Sequence, residues 1–405
     1  MNKFDVIIVG AGAAGLMCGW QAAMRGRKVC IIEHTRKVGE KIRISGGGRS
    51  NFTNLYCSPE NFLSQNPHFC KSALSRFDQH DFIAYVEDHD IDYHEKPYDE
   101  NAALNSRGQL FCDNSATDII DMLRFGFENH EGTFFMDTKV KHTEKTDEHF
   151  ILKTSKGNFQ CDNLVIASGG LSIPKIGASN FGYELAKQFD LKIIPPRAAL
   201  VPLTFENDLL EKTKDLSGIS VDANVSCDGA GGSKNFREGL LFTHRGLSGP
   251  SILQISSYWR EGEDITVDLA PDLNFFDYLK EKRNTHPKQK ISTVLSEVLP
   301  ARFVALTLNL NEIEGRIADI SDKKLRVVSD FVNSWKVTPN GSEGYRTAEV
   351  TLGGIDTNEI SSKTFEAKKA ERLFFIGEVL DVTGHLGGHN FQWAWSSGWC
   401  AGQVV

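Results

Sequence analysis

The residues best suited to do chemistry near the start of the chain are glycines. Gly10, Gly12 and Gly15 stand in the run Gly10-Ala11-Gly12-Ala13-Ala14-Gly15, directly after the apolar stretch Phe4 to Val9. That order reads as a strand, a tight turn and the start of a helix, the setting in which a glycine fingerprint holds a dinucleotide. Gly10 allows the sharp turn, Gly12 lets backbone amides approach a pyrophosphate, and Gly15 lets the helix pack closely on the strand. The helix amino-terminus, opened by Ala13 and Ala14, then faces the phosphate charge. A second apolar stretch, Lys28 to Ile32, leads into Glu33, about 20 residues past the turn, where an acid accepts hydrogen bonds from a ribose. An acid there repels a 2′-phosphate and favours FAD or NAD over NADP. His34 follows at the same adenosine end.

Three later runs extend this site and turn the reading toward a flavin. The loop Val38 to Asn51 is basic and rich in glycine. Gly39, Lys41 and Arg43 are expected at the pyrophosphate, while Ser45, Gly46, Gly47, Gly48, Arg49 and Asn51 can lie close against a flat ring. The buried-strand pattern Asn163 to Ala167 ends in Ser168-Gly169-Gly170, expected to cross under the dinucleotide, and Val140 joins the expected cofactor contacts. A last strand, Leu373 to Ile376, delivers Gly377, with Glu378 and Asp381 as acceptors for ribityl hydroxyls. Gly388, Asn390, Phe391 and Gln392 then form a loop entering a helix, whose positive end would stabilise the anion of a reduced flavin.

Positioning these residues requires a split nucleotide-binding domain. Residues 62 to 95 read as helical with Phe69, Leu74, Phe77, Phe82, Ile83 and Val86 as core, and Thr117 to Glu128 repeats the pattern. The run Ile194-Pro195-Pro196-Arg197 breaks the pattern and reads as a domain exit. Short β-like runs follow from 197 to 270, then helical periodicity from 273 to 333, as in Ile291, Val294, Leu295, Val298 and Leu299. The expected division is an FAD-binding domain at 1–194 and 345–405, a β-rich barrel-like insert at 195–272 and 334–344, and a helical insert at 273–333.

Composition bounds the function. The 405 residues suggest two or three domains, and 40% hydrophobic with 24% charged residues is the balance of a globular protein. No apolar run approaches the ~20 residues of a membrane span, and the first strand leaves no room for a signal peptide, so a cytoplasmic protein is expected. The eight cysteines show no Cys-x-x-Cys pair and no metal-ligand spacing. Cys18 and Cys30 read as small buried hydrophobes. The net charge of −8 argues against a broad nucleic-acid surface. No second glycine fingerprint follows a strand, so reducing equivalents are expected from transiently docked NAD(P)H, from the substrate or from another protein. His244, His385 and His389 are candidates for proton transfer, and Arg245 or Arg346 could clamp an anionic oxygen by a forked hydrogen bond. His244 and Arg245 fall in the insert, and Arg346 falls where the chain re-enters the FAD domain.

The segments Gly10 to Gly15, Ser45 to Asn54, Leu241 to Pro250 and Gly344 to Gly354, with the run from Gly377, resemble a bacterial FAD-binding flavoprotein family. That family includes aminoacetone-oxidase-like and bile-acid-reductase-like NAD(P)/FAD-dependent oxidoreductases. The resemblance spans essentially the whole chain and implies an α/β fold, a Rossmann-like, glutathione-reductase-like FAD domain interrupted by a β-barrel and a helical domain. Two departures stand out: the family commonly carries Cys where Ser50 stands, and aromatic residues where His385 and His389 stand. The chain also remotely resembles succinate dehydrogenase and fumarate reductase flavoproteins, whose flavin is often bonded to a histidine ahead of the Ser/Gly loop. Lys41-Ile42-Arg43-Ile44 offers none, so the expected FAD is non-covalent. The leading expectation is an FAD-dependent oxidoreductase acting on a small organic molecule, with neither nucleic acid nor membrane as partner. The alternative is a tRNA-modifying or non-catalytic flavin-binding protein.

Overall fold

The computed structural model describes residues 1–98 and 107–405. The chain divides into two compact units, one built from the residues up to Ala198 together with Ala348–Val405, the other from Ala199–Thr347.

In the first unit, β1 (Asn2–Val9) pairs in parallel with Gly157–Ile166 on one side and with β2 (Val29–Ile32) on the other. Ala370–Phe375 and Thr133–Phe135 extend this parallel sheet at its two sides. Val6, Ile7, Ile8, Leu164, Val165 and Ile166 are fully buried, as the continuous apolar runs require of strands covered on both faces. The helix α1 (Ala13–Met24) links β1 to β2 and lies against the carboxy-terminal helix His389–Gly402. Small residues allow that approach: a Cβ on Gly398 would stand 2.5 Å from the Ala14 carbonyl oxygen. This is the α/β, Rossmann-like architecture that the glycine fingerprint predicts.

The 62–95 segment is not continuously helical. Two helices, Phe69–Arg76 and Gln79–Glu87, are separated at Phe77-Asp78. The Asp78 carboxylate accepts hydrogen bonds from the His80 and Asp81 amides and so starts the second helix afresh. Phe69, Leu74, Phe77, Phe82, Ile83 and Val86 are nevertheless all buried. Tyr93–Glu95 leaves the helical region to join a three-stranded antiparallel sheet with Asn51–Asn54 and Gln109–Cys112.

The second unit holds a seven-stranded antiparallel sheet centred on the hairpin Ser220–Gly229 and Gly232–Thr243. These strands are longer than the short runs expected there. The same unit carries the helices Asn207–Thr213, Pro250–Ser256, Phe275–Thr285, Ile291–Leu295, Ala301–Leu310 and Asp322–Asn333. Ile291, Val294, Leu295 and Leu299 are buried, but Val298 is 39% exposed. Val298 lies past the end of that helix at Leu295. Among the described residues no helix is long and apolar enough to cross a membrane.

Candidate functional site

The turn after β1 is shaped by backbone crowding. Gly10 has φ +114°, and a Cβ there would lie 2.4 Å from the Ala167 oxygen. A Cβ on Gly15 would meet the Gly10 oxygen at 2.0 Å. Gly12, by contrast, caps α1 with no side-chain hydrogen bond, and nothing stands within 4 Å of its Cβ position. The first-turn amides of Ala13, Ala14 and Gly15 therefore belong to a helix end with open space beside its cap, which fits a pyrophosphate. Glu33 is held by the Ala11 amide at 2.9 Å and the Thr35 amide at 2.8 Å, with His34 Nδ1 at 3.1 Å. Burial pushes the Glu33 carboxyl up, but the hydrogen bonds from His34, Ala11 and Thr35 outweigh it and hold it below its ordinary value. An ionised acid at this position fits an acceptor for ribose hydroxyls. Val140 is buried at the start of Val140–Lys145, two residues after Thr138, whose amide donates to the Glu33 carbonyl at 2.8 Å.

The expected cations are already engaged. Gly39 begins the short helix Glu40–Ile44, from which Lys41 Nζ reaches Glu378 Oε2 at 2.6 Å and Ser172 Oγ at 2.7 Å. Arg43 pairs with Glu40 at 3.2 Å. The other Glu378 oxygen accepts from the Thr351 amide at 2.8 Å, and Thr351 Oγ1 in turn accepts from the Leu171 amide at 2.8 Å. A Cβ on Gly170 would stand 2.4 Å from that hydroxyl. Sequence reading did not single out Ser172, or Thr351 within the Gly344 to Gly354 segment, because their contacts reach across more than a hundred residues. Asp381, 2% exposed, accepts from the Gln65 amide at 2.8 Å, and burial pushes its carboxyl up. Glu378 and Asp381, expected as ribityl acceptors, thus both hold protein donors.

The loop expected to face the ring is a run of left-handed glycines. Gly46, Gly47 and Gly48 have φ of +57°, +66° and +88°, and Ser45 closes the preceding turn by donating to the Ile42 carbonyl at 2.8 Å. Open space lies beside Gly47, and beside Gly169 nothing comes nearer than Glu378 at 3.9 Å. Ser168 directly precedes that glycine, and Arg49 is exposed. The side-chain amides of Asn51 and Gln109 lie 3.0 Å apart. Gly377 donates its amide to Ser397 Oγ at 3.0 Å. Gly388 caps His389–Gly402 with φ +96°. Asn390 exchanges two hydrogen bonds of 2.8 Å with the Gly384 backbone, and Gln392 Oε1 accepts from Thr53 Oγ1 at 2.6 Å. These two side chains fix the loop from behind, while Phe391 stacks on Trp395 at 5.7 Å. Backbone cradles with room beside Gly12, Gly47 and Gly169 fit an extended flavin dinucleotide. Among the described residues no His/Cys/Asp/Glu cluster could hold a metal.

The proton-transfer candidates separate. His389 is 2% exposed, and its ring meets His385 edge-on at 6.3 Å. Burial, and secondarily His385, pushes His389 down to about 3. His385 is itself buried, its amide donating to the Asn61 carbonyl at 2.9 Å. His244, Arg245 and Arg346 are exposed residues of the other unit.

Comparison with known proteins adds a family and relatives. Residues 4–404 match the HI0933-like protein Rossmann domain. The chain is 50% identical over 408 residues to the ribosomal RNA dihydrouridine synthase of Escherichia coli, covering 100% of this chain and 98% of that protein. It is 46% identical over 401 residues to the protein of that name from Haemophilus influenzae, covering 98% and 97%. A more distant relative, 25% identical over 425 residues and covering 100% and 99%, is the 3-dehydro-bile acid delta(4,6)-reductase of Clostridium scindens. The two full-length matches overturn the expectation of a small organic substrate without nucleic acid, because both relatives are named for ribosomal RNA. They favour the RNA-modifying alternative. The net charge of −8 misled because it sums the whole surface, whereas nucleic acid responds to local distribution.

Proposed function

The chain belongs to the HI0933-like Rossmann family and is an FAD-binding enzyme of the oxidoreductase type, and from that premise we propose that it is a ribosomal RNA dihydrouridine synthase. In this reading it adds two hydrogens across the C5=C6 bond of a uridine in ribosomal RNA. The observation that carries the reading is identity of 50% sustained over 100% of this chain. Bound and reduced, FAD supplies the hydride equivalent, and NADH or NADPH docking transiently is the proposed donor. The residues of this chain supply the rest. Amides of Gly12 to Gly15 hold the pyrophosphate, and Glu33 accepts from the adenosine ribose. Lys41, Glu378, Ser172 and Thr351 brace the backbone on which the flavin lies. The first turn of His389–Gly402 lends partial positive charge to the pyrimidine end. His389, neutral at physiological pH because burial holds its pKa at about 3, is poorly matched to proton donation, since a general acid works best with a pKa near the operating pH.

The test is anaerobic stopped-flow spectroscopy of the holoprotein. Flavin reduced by NADH or NADPH should be reoxidised by ribosomal RNA that lacks dihydrouridine. Reoxidation unaffected by that RNA, with no change in its uridines, would remove the reading.

A further inference from the structure

One end of the three-stranded sheet Asn51–Asn54, Gln109–Cys112 and Tyr93–Glu95 carries exposed aromatic rings with cations beside them. Tyr56 is 53% exposed and Tyr98 is 42% exposed. A Cβ on Gly108 would lie 2.7 Å from a Tyr56 ring carbon, so the ring rests on bare backbone. The Arg107 guanidinium lies 4.9 Å from the Tyr98 ring centroid, and Lys96 is exposed beside it.

That end of the sheet is wired to the flavin loops through Asn54, which is 1% exposed. Its Oδ1 accepts from the Tyr56 amide at 2.9 Å, and its Nδ2 donates at 2.9 Å both to the Arg107 carbonyl and to the Gly387 carbonyl. The Leu55 amide donates to Gly108 at 2.8 Å and the Lys96 amide to Gln109 at 2.8 Å. Gln109 in turn meets Asn51 of the glycine loop. A single buried amide thus fixes both the Tyr56 and Arg107 backbones against the turn that leads into the carboxy-terminal helix.

We propose that Tyr56 and the Arg107–Tyr98 pair form a stacking platform for unpaired bases of a single-stranded RNA segment next to the uridine being reduced. The proposal rests on the ribosomal RNA reading above. Flat aromatic side chains with an adjacent guanidinium match the way single-stranded RNA is held, by stacking on rings and by cation–π contact. The polar ring hydroxyls and the cations at the same end of the sheet suit a polyanion better than an apolar protein partner. Sequence-tolerant stacking would grip the strand, while the Asn54 wiring sets its distance from the flavin loops.

The experiment uses the full-length holoprotein and, as probe, protein-free ribosomal RNA from cells lacking this enzyme. Affinity is read by filter binding and modification by nucleoside mass spectrometry. Y56A/Y98A should bind this RNA about ten-fold or more weakly, the scale of losing base–aromatic stacks. Y56F/Y98F should match the wild type, because stacking needs the ring and not the hydroxyl. FAD content and the rate of anaerobic flavin reduction by NADH or NADPH should be unchanged in both. Y56L/Y98L keeps bulk over Gly108 without an aromatic face, so it should also bind weakly even if the alanine variant loses FAD. Wild-type affinity in Y56L/Y98L would overturn the platform while leaving the RNA reading intact. A wild-type protein that neither binds nor modifies the RNA would overturn both.

Discussion

Lys41 Nζ lies 2.6 Å from Glu378 Oε2, joining two residues 337 apart in sequence. Their side chains are 33% and 17% exposed, so the pair is partly desolvated. It ties the loop after β2 to the short turn after the last parallel strand, bracing the backbone on which the flavin is proposed to lie. K41M should cost about 1–2 kcal/mol, the worth of a charged hydrogen bond discounted for exposure. The K41M/E378Q double variant should lose less than the sum of the single changes. Thermal unfolding of the wild type, K41M, E378Q and the double variant measures the coupling; strict additivity would mean the pair contributes nothing.

Gly12 and Gly15 separate cofactor binding from folding. G12V places its Cβ where the structure has open space, so stability should fall by only about 0.5–1 kcal/mol, the cost of a poorer cap residue, while FAD is lost. G15A must displace the Gly10 carbonyl, 2.0 Å from the new Cβ, and should cost about 1–3 kcal/mol as an overpacked site does. Denaturant titration and the flavin absorbance of the purified proteins distinguish the two. A G12V protein that keeps its yellow colour would remove the pyrophosphate from this turn.

Buried His389 predicts acid lability. Its folded pKa of about 3 lies below the ordinary 6.5, so between those values the unfolded chain binds a proton that the folded one does not. Stability from this group therefore falls as pH drops below about 6.5 toward 3. H389F removes the titrating group, and the slope of unfolding free energy against pH across that window should become shallower. An unchanged slope would mean His389 is protonated in the fold.

Close packing of the carboxy-terminal helix on α1 depends on Gly398. G398L would drive atoms into the Ala14 carbonyl, 2.5 Å from the first added carbon, and into Met17. The expected loss is about 3 kcal/mol or more in unfolding free energy, at or above the top of the overpacking range, with weaker FAD retention. Retained stability would show that the two helices separate freely.

Much of the nucleotide-binding frame is legible in the sequence, because Gly10, Gly15 and the buried strands obey local steric and periodic rules. The two helices at 69–87 were harder: their apolar spacing is continuous across Phe77-Asp78, and only the Asp78 cap breaks it. The contacts of Ser172, and of Thr351 and Asn54 within the segments that carry the resemblance, were illegible for another reason. Each acts through a hydroxyl or amide on a backbone or side chain far along the chain, and such contacts leave no period or motif. Lys41 illustrates the limit of reading charge locally: its position in a basic loop points to a phosphate, while the fold brings Glu378 to it. The substrate was misread because whole-chain charge carries no information about where cations and aromatic rings are exposed.

The central claim is tested most directly by nucleoside mass spectrometry of ribosomal RNA from cells lacking this enzyme, after incubation with the purified holoprotein and NADH or NADPH. The account predicts conversion of uridine to a nucleoside heavier by two hydrogens, dependent on both protein and reductant and absent with G12V. No such nucleoside from a protein whose flavin is fully reduced would contradict it.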